Sequence, residues 1–160
     1  MPIPYLSALT TTLSARSNPK QAFDIIAQAF QAEVGYRLLT FTAIIADSSS
    51  VKRLWSSHQD IYPAGGTKQL ENHEWGRVVL QEQRPIVCNE PADLQRIFAD
   101  HVDIANLGCS AGVNLPVVFQ GDVLGTVNIF HKAQWFSQDK IDRGTDLMAL
   151  VYAPMLLSRQ

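Results

Sequence analysis

The first third of the chain carries apolar residues at helical spacing. Residues 3–15 repeat them at intervals of three and four positions, and so predict a first helix: Ile3, Leu6, Leu9 and Leu13. Asn18 before Pro19 predicts the start of a second helix, and Gln21 is placed to complete a capping box. Gly35 is well placed to end this second helix in a left-handed turn.

The pattern then changes to one typical of strands. Residues 38–45 are rich in β-branched and aromatic side chains, and a turn cluster at 47–50 separates them from a second strand over 51–57. Residues 61–67 contain Pro63, Gly65 and Gly66 and predict an irregular loop, a possible lid. A short helix over 74–83, a short strand over 85–88 and a broken helical stretch over 91–107 follow.

The strongest local signal is a hairpin near the C-terminus. Two β-rich runs, 113–119 and 122–130, flank a turn that contains Gly121. Ser137 predicts the N-cap of one final helix, and Pro154 is expected to kink or fray its end. This order of elements predicts an α+β fold, with an antiparallel sheet and helices packed on its face.

Composition narrows the class of protein. A chain of 160 residues with 46% apolar and 18% charged side chains is expected to form one domain without disulfides or metal. Thirteen basic against fifteen acidic residues give a net charge of −2, so neither nucleic acid nor a membrane surface is an expected partner. The early sequence lacks the pattern of a secretory signal and there are only two cysteines, which favours a cytoplasmic location.

The hairpin region also resembles a known family. The residues that carry the resemblance are Gly108-Cys109-Ser110, Asn114-Leu115-Pro116-Val117, Gly121, Gly125-Thr126 and Asn128, and together with the order of elements they are similar to a GAF domain. The resemblance covers residues 1–160. It implies a profilin-like antiparallel sheet of five or six strands, with terminal helices on one face. On the other face, loops and short helices would enclose a pocket for a small organic ligand. GAF domains are more often sensors or regulators than enzymes, so function must be argued from the pocket residues.

Polar residues on one face of the hairpin are the first candidates for ligand contact. Asn114 would share a face with Thr126 and Asn128 if Gly121 formed a one-residue bulge, whereas a plain two-residue turn would separate them. The other face would be apolar, with these residues under the terminal helices: Val113, Leu115, Val117, Phe119, Val123, Val127 and Ile129. Buried amides and hydroxyls need hydrogen-bond partners, which either a ligand or the backbone of the covering loops would supply.

Aromatic residues and a cysteine complete the candidate site. The apolar walls of a pocket are expected from four aromatic side chains, which alternatively belong to the core: Trp55, Tyr62, Trp75 and Phe98. Cys109 and Ser110 lie where ligands of GAF domains usually approach. Asp100 and His101 either line the pocket mouth or lie on the surface. No metal or cofactor is expected, because the four histidines are scattered and lack the spacing of a metal site.

Two other functions compete with a ligand sensor. Cys109 resembles in position a cysteine of the free methionine sulfoxide reductases, which have GAF folds, and a redox activity would need Cys88 as the resolving thiol. A purely structural interaction domain is the other alternative. Finally, the last helix carries more apolar side chains than one sheet contact requires, which predicts a homodimer through the terminal helices.

Overall fold

The computed structural model describes residues 3–45, 50–70 and 72–159. The helices are α1 (Pro4–Ser14), α2 (Pro19–Glu33), α3 (His73–Trp75), α4 (Pro91–Ile97), α5 (His101–Asn106), α6 (Gln138–Asp146) and α7 (Met148–Leu157), and a π-helix (Gly76–Gln81) directly continues α3. The strands are β1 (Leu38–Ile44), β2 (Ser50–Ser56), β3 (Thr67–Gln69), β4 (Ile86–Cys88), β5 (Ala111–Phe119) and β6 (Asp122–His131). The turn predicted at 47–50 lies, except for Ser50, outside the described residues.

Helix α2 begins and ends as its sequence predicts. The Asn18 side chain accepts a hydrogen bond from the Gln21 backbone N–H at 3.2 Å, and the Gln21 side chain accepts one from the Asn18 backbone N–H at 3.2 Å. Gly35, just past the helix, has φ of +84°, a conformation that a side chain with a Cβ disfavours. The capping box and the left-handed end of α2 are therefore confirmed.

The strands form one antiparallel sheet in the order β3-β2-β1-β6-β5-β4. Helices α1, α2, α6 and α7 share a hydrophobic core with one face of the sheet. The π-helix and the short helices α3, α4 and α5 share a second, smaller core with the other face. This arrangement confirms the predicted α+β, GAF-like fold, with six strands.

A bulge in the β5–β6 hairpin decides which side chains face which core. The turn residues Gln120 and Gly121 both have positive φ, 55° and 85°, as in a two-residue type I′ turn. Val117 pairs with Gly125 whereas Val118 pairs with Val123, so Leu124 is the extra residue. The predicted bulge therefore lies at Leu124 and not at Gly121.

Because the bulge lies at Leu124, the side chains of Val123 and Leu124 each face the opposite side of the sheet from the one predicted. Leu124 packs in the core under the terminal helices, and Val123 packs against the smaller core on the opposite face. Beyond the bulge the alternation follows the prediction, since Asn114 pairs directly with Asn128 and both lie on the face away from the terminal helices.

The expectation for the final helix was wrong, and one short strand was missed. The final helix is interrupted at Leu147, the residue between α6 and α7, whereas Pro154 is buried inside α7 and the helix continues to Leu157. The loop predicted over 61–67 leads into an edge strand, β3, which is too short and too exposed to carry an apolar pattern. In the described part of the chain, no helix combines the length and apolar character needed to cross a membrane.

A substitution at Gly125 tests the close packing of β6 against β1. A Cβ at this position would overlap the carbonyl oxygen of Thr42 and lie 3.0 Å from Met155 Sδ. Gly125→Ala should therefore lower the free energy of unfolding by about 1–3 kcal/mol, measured by chemical denaturation. The matched control is Gly76→Ala, since Gly76 is helical and a Cβ there would meet no atom within 4 Å. The control should leave stability unchanged or raise it by up to about 1 kcal/mol. Equal effects of the two substitutions would contradict this packing.

Candidate functional site

A cavity of about 340 Å³ lies over the sheet face that points away from the terminal helices. Its walls are largely apolar and include four aromatic side chains: Leu38, Val51, Tyr62, Leu70, Trp75, Ile97, Phe98, Ile104 and Phe130. A volume of this size fits a small organic molecule. The polar groups come from the sheet, which forms the floor, and from segments around the mouth.

The first polar row of the floor crosses three strands. Thr42 on β1 pairs with Arg53 on β2 and with Thr126 on β6, and cross-strand partners project from the same face. The hydroxyl oxygens of Thr42 and Thr126 are 2.6 Å apart and share a hydrogen bond. These hydroxyls are thus fixed in position at the base of the cavity.

The second polar row contains two asparagines side by side. Asn128 on β6 pairs with Thr40 on β1 and with Asn114 on β5. The Asn128 amide Nδ2 donates to Thr40 Oγ1 at 2.9 Å. Trp75 Nε1 donates to Asn114 Oδ1 at 2.7 Å. Each amide is therefore held at one of its two ends by another side chain. The sequence had left open that the loop backbone would bind these amides, and neither of the two bonds is of that kind.

The other ends of these amides have no partner among the residues that the structure describes. Asn114 Nδ2, Asn128 Oδ1 and Arg53 Nε are the buried side-chain polar atoms without a hydrogen bond within the described ranges. All three belong to residues that line the same cavity. A buried donor or acceptor without a partner costs about 1–3 kcal/mol, so these three atoms favour a polar molecule beside them, either an ordered water or a ligand.

Arg53 is held rigidly at the cavity wall. Its guanidinium lies 4.8 Å from the centre of the Tyr62 ring, and Nη1 donates to the Pro63 carbonyl oxygen at 3.1 Å. Its backbone N–H donates to Gly66 O at 2.8 Å, and its carbonyl accepts from the Gly65 N–H at 2.7 Å. Burial lowers the pKa of the guanidinium from its ordinary value, an effect that Asp100 opposes, and arginine nevertheless stays charged.

Asp100 connects the segment around Tyr62 to the start of α5. One carboxylate oxygen accepts from the Tyr62 hydroxyl at 2.9 Å, and the other from Lys68 Nζ at 2.9 Å. Burial acts to raise the pKa of Asp100, but the Lys68 ammonium and the hydrogen bonds outweigh it, so the net pKa is below the ordinary value. The carboxylate stays ionised at neutral pH and ties β3 and the preceding loop across the cavity.

Six of the nine site residues expected from the sequence line this cavity: Tyr62, Trp75, Phe98, Asn114, Thr126 and Asn128. Phe98 packs edge-to-face against Phe130, with ring centres 5.5 Å apart. The hairpin and the aromatic side chains thus converge on one volume, as the resemblance implied. The other three expected residues do not line it.

Trp55 lies on the opposite face of the sheet, and its placement in the cavity wall was wrong. Phe41 pairs with Trp55 whereas Thr42 pairs with Arg53, so Leu54 is the extra residue of a β-bulge. This bulge turns Trp55 into the core under the terminal helices, where its indole N–H donates to Asp24 at 2.8 Å. The same bulge leaves Arg53 facing the cavity.

Neither Cys109 nor Ser110 lines the cavity, and Cys109 belongs to the smaller core on the same face of the sheet. Cys109 is 2% exposed, and burial raises the pKa of its thiol to about 11. Cys88 is 0% exposed, and burial raises its pKa to about 12. A catalytic thiol needs an accessible thiolate, so these surroundings do not support the alternative redox activity.

Several cavity residues were missed from the sequence. Thr40 and Thr42 gave no signal, because threonine is common in strands. For Arg53 the sequence did contain a signal. Lys52 and Arg53 are consecutive in a strand, so one of the two cations must face the interior side of the sheet. For Asp100 the sequence left two positions open, the pocket mouth and the protein surface. The structure places Asp100 in the lining of the cavity.

Comparisons with known proteins identify the family. A family model described as GAF domain matches residues 17–151. The chain therefore belongs to the GAF domain family. A comparison with curated proteins finds no matching relative.

Solved structures with the same fold include the GAF domains of several bacterial proteins. The GAF domain of a phosphoenolpyruvate-protein phosphotransferase from Coxiella burnetii aligns with a TM-score of 0.74 at 14% identity, covering 98% of this chain and 93% of that one. The equivalent Acinetobacter domain aligns with a TM-score of 0.70 at 13% identity, covering 99% and 97%. The GAF domain of a two-component sensor histidine kinase from Bacillus halodurans gives 0.69 at 16% identity, covering 86% and 93%. At these identities the likeness concerns the fold.

The buried thiols predict a specific pH dependence of stability. A thiol has a pKa of about 8.5 when unfolded, whereas burial raises the pKa of Cys109 to about 11 and that of Cys88 to about 12. The unfolded state therefore loses protons first, and stability should fall between about pH 9 and pH 11 by up to about 1.4 kcal/mol per pH unit for each thiol. Chemical denaturation across this pH range measures the free energy of unfolding of the unaltered chain and of the Cys88→Ala/Cys109→Ala variant. The loss of stability with rising pH should be smaller in the variant.

Modification of the native protein with a thiol reagent at pH 7 provides the check on reactivity. Both cysteines should react only after unfolding in guanidinium chloride. Rapid modification of Cys109 in the folded protein would contradict its described burial.

Proposed function

We propose that residues 1–160 form one small-molecule-binding GAF domain with a sensory or regulatory role. The observation that supports this most strongly is the convergence of Asn114 Nδ2, Asn128 Oδ1 and Arg53 Nε, three buried polar atoms without partners, on residues that line one cavity. A bound organic molecule would supply these bonds and fill the space between the aromatic walls. GAF domains often bind small ligands, so this role also fits the family.

The proteins that share the fold support the regulatory part of the proposal. Their named contexts include phosphoenolpyruvate-protein phosphotransferases and a two-component sensor histidine kinase. In such a setting a domain of this fold provides a binding site whose occupancy another part of the system reads. We extend that role to this chain.

Binding would be transmitted through the segment that covers the cavity. Tyr62 and Lys68 both bond to Asp100, and Tyr62 also stacks under Arg53. A ligand that contacts Arg53 or Tyr62 therefore acts on the same contacts that hold residues 62–68 in place. Ordering of this segment would change the surface presented to a partner or to a second copy of the chain.

Two further parts of the proposal concern assembly and location. Helices α1 and α7 leave apolar side chains exposed, among them Leu6 and Leu157, which supports a homodimer formed through the terminal helices. A molar mass of one chain by light scattering across a dilution series would overturn the dimer.

Both cysteines are free thiols, which fits a reducing, cytoplasmic location.

Asn128→Leu tests the function directly. The substitution removes a buried acceptor that has no partner among the described residues, on a residue that lines the cavity, so binding of any metabolite found by calorimetric screening should fall by at least about tenfold. Ser110→Ala is the matched control, because Ser110 does not line the cavity, and it should bind normally. Thermal melts of both variants establish that they are folded. If Asn128→Leu binds as tightly as the unaltered chain, the proposed site is wrong.

A further inference from the structure

We infer that the cavity selects a small, planar organic anion. In this arrangement a carboxylate would bind Arg53, and a hydrogen-bond acceptor next to a donor, as in an amide or lactam, would bind Asn114 and Asn128. This inference rests on the proposed function, because it names the class of molecule that the same cavity would bind. It follows from the charge of the cavity wall and from the orientation of the two amides.

Arg53 is the cation of the cavity wall that lacks an ionic partner among the described residues. Lys68 pairs with Asp100 at 2.9 Å, and Arg96 pairs with Glu74 at 3.0 Å and with Asp93 at 2.8 Å. By contrast, the guanidinium of Arg53 bonds only to a neutral carbonyl and stacks on a ring. A half-buried guanidinium with an unused N–H matches the planar, bidentate geometry of a carboxylate.

The orientation of Asn114 follows from its partner. The indole N–H of Trp75 is a donor only, so the atom of Asn114 that faces it at 2.7 Å must be the oxygen. The amide nitrogen is then the end without a partner, and it presents a donor. A ligand group next to Asn114 must therefore be an acceptor.

The structure places the amide nitrogen of Asn128 toward two threonine hydroxyls, and a hydroxyl can accept or donate. Asn128 Nδ2 lies 2.9 Å from Thr40 Oγ1 and 3.5 Å from Thr42 Oγ1, and an amide nitrogen has two N–H groups for two such oxygens. The oxygen of Asn128 is the end without a partner, so it presents an acceptor. Because Asn114 and Asn128 pair directly across β5 and β6, the free donor and the free acceptor are neighbours. A ligand carbonyl beside an N–H group satisfies both.

The spacing of these groups suits a ring system. With β1 between them, Arg53 on β2 and Asn128 on β6 are two strand spacings apart across the sheet. They are also offset by two residues along the strands, because Arg53 is level with Thr126, so their backbones are about 12 Å apart. The space between the polar groups is walled by Trp75, Phe98 and Phe130. A flat body of one or two rings spans this distance and stacks against aromatic side chains.

Matched probes test the inference by isothermal titration calorimetry at fixed ionic strength. Uracil-6-carboxylate and 2-pyridone-5-carboxylate carry both the anion and the lactam edge. Uracil and 2-pyridone lack the anion, and benzoate lacks the lactam edge. At least one of the charged lactams should bind at least about tenfold more tightly than its uncharged parent and than benzoate, because a hydrogen bond to a charged group contributes that much. If neither does, the inference is overturned.

Two variants assign the effect to the named groups. Arg53→Met should remove the preference for the charged lactam, whereas Lys52→Met, a neighbouring exposed cation, should retain it. Asn114→Asp keeps an oxygen that accepts from Trp75 but, when ionised, replaces the free donor with an acceptor and adds a negative charge, so binding of the charged lactam should fall by at least about tenfold. A thermal melt establishes that the variant with this buried carboxylate is still folded. Retention of the preference in Arg53→Met would overturn the assignment of the anion.

The inference and the proposed function fail in different ways. If an uncharged metabolite binds, loses affinity in Asn128→Leu and is indifferent to Arg53→Met, the cavity is a receptor but not for an anion. If no member of a broad metabolite screen binds, the proposed function itself fails.

Discussion

The hydrogen bond from Trp75 to Asn114 is the contact on which the site depends. It joins the short helix α3 to strand β5, and it fixes which end of the Asn114 amide is left without a partner among the described residues. Asn114 is 3% exposed and Asn128 is 8% exposed, so their free ends cannot be satisfied by bulk water. A sheet face that buries two half-satisfied amides beside aromatic walls is poorly suited to be a plain hydrophobic core, and well suited to bind a polar, planar molecule.

Two β-bulges determine which side chains reach that face. The bulge at Leu54 turns Trp55 away and leaves Arg53 pointing to the cavity, and the bulge at Leu124 keeps Asn114 opposite Asn128 beyond the type I′ turn. Because side chains alternate with a period of two, one extra residue exchanges the faces of everything on one side of it. The chemistry of the site is thus set by local backbone geometry as much as by residue type.

These bulges also explain how far the sequence could predict the molecule. The order of elements, the capping box at Asn18 and the hairpin around Gly121 follow local rules, so the fold and most of the polar floor were predictable. A bulge inside a strand leaves little trace in an alternating pattern, so nothing in the sequence indicated that Trp55 would face away from the cavity. Asp100 acquires its position through Tyr62 and Lys68, both distant in sequence, which no local pattern records.

The central claim is that a bound molecule supplies the missing hydrogen bonds of Asn114 and Asn128. A high-resolution crystal structure of the protein with the tightest ligand from screening tests it most directly. The account predicts continuous density in the cavity, with ligand atoms within about 3.2 Å of Asn114 Nδ2 and Asn128 Oδ1. A structure in which both amides bond to the chain itself, with side chains filling the cavity and the ligand elsewhere, would contradict it.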